Sequence, residues 1–186
     1  MTGQPNDAIE TDEHGRPEPP LSAGEVATLL GFLDYQRATL EWKTRGLDDA
    51  QLRRPLPPTS MTLGGLLSHM SYVEDNWFTD AVSEAAPSEP WASTDWKADV
   101  DADWHRAHEL PGDQLRAEWQ RAVEASRAVV AAELKHPDGL DRTHPAWGGR
   151  AQVSLRWVLV HMIEEYARHN GHADLLRESV DGETGE

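Results

Sequence analysis

A chain of 186 residues with a formal charge of −16 and no cysteine is long enough for one domain with a substantial core. The charge argues against nucleic-acid phosphates or an anionic membrane as partners, and the missing thiols exclude disulfides, a thiolate metal site and a protein thiol nucleophile. No apolar run approaches the ~18–20 residues of a membrane span and no secretory signal is visible, so with its lack of cysteine the chain fits a reducing cytoplasm.

Residues 1–20 are polar and acidic and close with Pro17, Pro19 and Pro20, which predicts a disordered leader with His14 in solvent. Ser22 with Glu25 three residues on reads as a capping box for a first helix. Its apolar positions Val26, Leu29, Leu30, Leu33, Leu40 and Trp42 recur at mostly helical spacing, and Gly46 ends it. A short helical turn is expected at residues 48–53, before Pro55, Pro57 and Pro58. Thr62 caps a second helix running to about Val82, with a stripe of Leu63, Leu66, Leu67, Met70, Val73 and Trp77 and with His69 at its edge.

Residues 85–111 carry prolines, aspartates and tryptophans and are too long for a simple bundle connection, so a crossover with a short helix at residues 100–109 is expected. His105 and His108 lie there among acidic neighbours and read as solvated. Asp113 is the expected cap of a third helix with Leu115, Trp119, Val123, Val129, Val130 and Leu134 inward. The loop from His136 to Gln152 holds Gly139, Pro145, Gly148 and Gly149, with His144 and Trp147 as candidates for a pocket rim; no strand alternates convincingly. Ser154 opens a fourth helix, and residues 181–186 read as a frayed tail. Four long helices with one long crossover predict an all-α four-helix bundle over residues 21–180.

The fourth helix carries the chemistry. His161, Glu165, His169 and His172 fall within a stripe roughly 80° wide on one helical face. Val158 and Met162 share that face, which turns it inward. A buried carboxylate among imidazoles costs several kcal/mol unless compensated, and a divalent metal compensates both at once. His69 is the natural ligand from the facing helix, and three protein ligands would leave a position open, as catalytic sites do. Two ligand sets fit the spacing, His69 with Glu165 and His169, or His69 with His161 and Glu165.

Residues 63–78 (LGGLLSHMSYVEDNWF) with residues 161–178 (HMIEEYARHNGHADLLRE) resemble the DinB superfamily. Within it the chain is similar to the actinobacterial branch near mycothiol-dependent maleylpyruvate isomerase and mycothiol S-transferases, over roughly residues 21–180. The resemblance implies a DinB-like four-helix bundle of up-down-down-up order. It also implies a divalent metal, zinc or nickel, held by His69, Glu165 and His169. Glu165 stands where many members have histidine and where the isomerase branch has glutamate. His172 and His161 are then catalytic or orienting residues, and Arg168, Arg177 and Trp77 are candidates for contacting a bound cofactor or substrate. The implied activity is a thiol S-transferase or isomerase using mycothiol as cosubstrate on a small electrophile. A silent metal-binding bundle and a purely structural one, such as a homodimer with hydrogen-bonded histidines, are the alternatives.

Overall fold

A computed structural model describes residues 10–185. Its frame is four long helices: α1 (Glu25–Thr44), α3 (Leu63–Glu74), α5 (Gly112–Glu133) and α6 (Leu155–Asp181). Between them lie the short helices α2 (Asp49–Leu52) and α4 (Ala102–His105) and one antiparallel hairpin, β1 (Thr143–Ala146) with β2 (Ala151–Ser154). The all-α bundle expected from the sequence is therefore present. Helix α1 packs mainly on α6, and α3 on α5. The apolar stripes read from the sequence meet in one core, where Leu40, Leu66, Leu67, Met70, Phe78, Leu115, Val158 and Met162 are buried.

Local chemistry sets most helix ends. Asp48 and Gln51 form a full capping box around α2, with the Asp48 carboxylate accepting from the Gln51 N–H at 2.8 Å and the Asp48 N–H donating to Gln51 Oε1 at 3.0 Å. Thr62 Oγ1 accepts from the Gly65 N–H at 2.9 Å, and Ser154 Oγ from the Trp157 N–H at 3.2 Å. Gly182, at φ +82°, ends α6 in the left-handed conformation that favours glycine.

Two expected caps are corrected. Helix α1 starts at Glu25 with Gly24 in the cap position, so Glu25 stands too early to complete a box with Ser22 and pairs instead with Arg156. Asp113 lies inside the first turn of α5; the Gly112 N–H is taken by Asp49 Oδ1 of α2 at 2.8 Å, a cap supplied from another element. A Cβ at Gly112 would meet Leu52 Cδ1 at 2.4 Å, so any larger residue there has to displace the Leu52 side chain.

Three further departures bear on the site. The C-terminal end of the expected second helix widens into a π-helix over Asp75–Val82. The hairpin, where no strand was expected, pairs Thr143 with Ser154 and Ala146 with Ala151. Its strands span four residues each, with Pro145 in one, which is too short for a readable alternation; Gly148 and Gly149 turn it at φ +66° and +80°. Residues 10–20, expected as part of a disordered leader, lie against α1. Thr11 bridges Pro17, His14 stacks on Trp42 at 3.8 Å with part of its ring still in solvent, and the Arg16 guanidinium covers Tyr35 and Trp42. Residues 1–9 of that expected leader lie outside the described residues.

One buried network joins all four long helices. Arg37 of α1 donates two hydrogen bonds of 2.8 Å to the carboxylate of Glu74 on α3. Tyr166 of α6 donates to the same carboxylate at 2.7 Å, and Trp119 Nε1 of α5 donates to the Tyr166 hydroxyl at 2.9 Å. One turn on, Asn170 Nδ2 donates to Gln36 on α1. Tyr166 and Asn170 each follow a candidate ligand, Glu165 and His169, so they fix the rotation of α6 that aims both.

Candidate metal centre

His69 projects from the middle of α3, and Glu165 and His169 from successive turns of α6. Their donor atoms, one from each residue, lie within 4.8 Å of one another. Glu165 Oε1 is 3.6 Å from His69 Nε2 and 3.4 Å from His169 Nε2. These separations are longer than a hydrogen bond. They match the edge of a tetrahedral shell, about 3.3–3.6 Å when ligands stand about 2.0–2.2 Å from an ion. His69 Nε2 is buried and has no hydrogen-bond partner, which an imidazole lone pair aimed at a cation would explain. The residues present therefore fit a divalent ion of the zinc type.

The crossover completes the surroundings of His69. Asp103 Oδ2 lies 2.6 Å from His69 Nδ1, and the carboxylate can only accept, so Nδ1 carries a proton and, in the neutral ring that a metal requires, Nε2 is the nitrogen with the lone pair. Trp104 stacks on the same ring at 4.4 Å. Asp103 is 4 % exposed. Neither Asp103 nor Trp104 was singled out from the sequence, where they sit in a run of aspartates with no distinguishing spacing.

Charge follows geometry. The imidazoles of His169 and His69 outweigh burial and hold the Glu165 carboxyl well below the usual carboxylate range, so it stays ionised. Burial opposes charge on His69, yet Asp103 and Glu165 more than offset it and raise its pKa. Burial, then the nearby His169, lowers that of His172.

The other residues singled out from the sequence fall in different places. His172 Nδ1 lies 3.4 Å from His169 Nδ1, behind the ligand ring and away from Glu165. His161 groups with Glu164 and Glu165 and not with His69, and its ring stacks on Trp157 at 5.0 Å and meets Trp77 at 4.9 Å. Arg168 is exposed and pairs with Glu164. Arg177 is buried two turns beyond His169, where it donates to the Lys43 and Arg45 carbonyls and pairs with Asp181 and Glu183. His105 pairs with Asp99 at the surface, and His144 is buried 3.4 Å from Glu133.

The helical bundle is that of the DinB-like superfamily. The family model described as Mycothiol-S-transferase (MST) matches residues 28–182, and the chain belongs to that family. A search of curated proteins finds no match to it. Among the described residues, no helix is long and apolar enough to cross a membrane.

Proposed function

We propose that the chain is a metal-dependent mycothiol S-transferase that joins the thiol to a small electrophile at the His69–Glu165–His169 cluster. The observation that carries this reading is the buried, unpartnered Nε2 of His69 facing Glu165 and His169. With no cysteine in the chain, the sulfur nucleophile has to come from outside. A divalent cation in the cluster, zinc or nickel, supplies Lewis acidity that brings a thiol's pKa down to neutral pH.

The chain's own residues do the rest. Asp103 holds the proton on His69 Nδ1, and Trp104 covers that ring from water. Glu165 remains a carboxylate, and His172 steadies His169 from behind. His161, half-buried one turn before Glu165, takes the thiol proton at Nε2, its Nδ1 being turned to Glu164 at 3.6 Å. A C–S bond then forms and the electrophile's leaving group departs with its electron pair; where addition is followed by loss of the thiol, the product is an isomer.

The test is conjugate formation from mycothiol and a chromogenic aryl halide by zinc-loaded protein. The reading expects a thioether that disappears in His69→Ala. Stoichiometric metal without any conjugate across several electrophiles contradicts it and favours a silent metal-binding bundle.

A further inference from the structure

A cavity of about 340 Å³ opens between the π-helix and the hairpin turn, lined by Asn76, Trp77, Asp80, Glu84, Trp147 and the glycines beside it. The backbone is unusual on both sides. Glu84 and Trp147, at φ +51° and +52°, are the two non-glycine residues with positive φ among the described residues, and both line this cavity. The π-helix that carries Asn76, Trp77 and Asp80 is itself a rare conformation, frequent at functional sites. Trp147 is 50 % exposed and Trp157 behind it 40 %. Large indoles left in water beside a cavity indicate a ligand face.

The lining selects among ligands. The rings of Trp77 and Trp147 stand at 90° with centroids 5.8 Å apart, forming a corner of two aromatic planes. Around that corner are two carboxylates and an amide, and none of these three side chains has a hydrogen-bond partner among the described residues. Carboxylates repel an anion and a purely apolar ring would leave them unused; a cation would suit them, but the thiol proposed above brings hydroxyls to this wall and no cation. A polyol satisfies both walls, because its C–H faces lie on indole while its hydroxyls donate to Asp80 and Glu84.

One intervening side chain, His161, links the cavity to the metal cluster. Trp77 lines the cavity and lies 4.9 Å from the His161 ring, and His161 offers a donor atom within 4.8 Å of one from Glu165. Mycothiol carries its cysteinyl thiol on an amino sugar joined to an inositol ring. We propose that this cavity binds the polyhydroxylated end of the thiol cosubstrate, with the cysteinyl arm running past Trp77 and His161 toward His69, Glu165 and His169. The proposal rests on the thiol-transfer reading above.

The test separates the two. Glucosaminyl-inositol, which lacks the thiol, is titrated into intact protein and followed by tryptophan fluorescence and by saturation transfer to the sugar protons. Binding is expected, weakened about tenfold or more by Trp147→Ala and by Asp80→Asn, the second of which leaves the hairpin untouched. In turnover both variants should raise KM for mycothiol more than they lower kcat, with metal content unchanged. Sugar binding and mycothiol KM that ignore both substitutions, or a rise confined to the electrophile's KM, would overturn the subsite. Wild-type protein that binds the sugar and makes no conjugate would sink the transferase reading and keep the subsite.

Discussion

Three neighbours decide the chemistry of the His69 ring. Asp103 fixes its proton on one nitrogen, Trp104 covers a face, and Glu165 stands opposite the free lone pair. Removing a ligand and removing its support should therefore differ. His69→Ala and His169→Ala are expected to abolish stoichiometric metal, His105→Ala to leave it intact, and Asp103→Ala to weaken affinity 10–100-fold without abolishing it. Competition with a chromophoric chelator measures all four; full metal in either of the first two variants would show the ligand set to be wrong. Helical spacing put His161, Glu165, His169 and His172 on one inward face opposite His69 and left two ligand sets open; the resemblance favoured Glu165 with His169, the pair whose donor atoms the fold brings beside His69. Asp103 was not legible: it is one of several aspartates in the crossover, and only the folded path of that segment brings it to His69.

At the scale of elements, the Arg37–Glu74–Tyr166–Trp119 network sets how α6 is rotated and hence where Glu165 and His169 point. Glu74→Gln would leave the buried Arg37 guanidinium with only the partly exposed Asp34 carboxylate, 3.2 Å away, as counter-charge, at a cost toward the low end of about 3–5 kcal/mol. Tyr166→Phe would strip one donor from the carboxylate and the acceptor from Trp119, at about 1–3 kcal/mol. Urea unfolding midpoints test both, and equal, negligible shifts would contradict the role given to the network. The long helices, the short turn at α2 and the caps of α3 and α6 could be read from the sequence because their signals are local. The caps of α1 and α5 could not, since Glu25 is claimed by Arg156 and Gly112 by Asp49, both distant in the chain. The hairpin escaped because four-residue strands carry no usable period.

For the whole molecule, the sequence told of one bundle, while the crossover's path and the docking of residues 10–20 depend on tertiary contacts. Arg106 ties the crossover down, pairing with Glu118 of α5 at 2.6 Å and lying over Trp91. Burial alone would raise the Glu118 pKa, but Arg106 and Gln114 outweigh it and the pKa is lowered. A depressed carboxylate contributes stability that is present above its unfolded value, about 4.3, and is lost as pH falls through the folded one. Glu118→Gln should accordingly flatten the acid limb of stability between about pH 5 and 3, and an unaltered limb in thermal melts would contradict that. The central claim is that α3 and α6 together grip one ion. Anomalous diffraction from zinc-loaded crystals tests it most directly: a single full peak bonded to His69 Nε2, Glu165 Oε1 and His169 Nε2 is expected, and a peak elsewhere, or none with those three side chains turned apart, would contradict it.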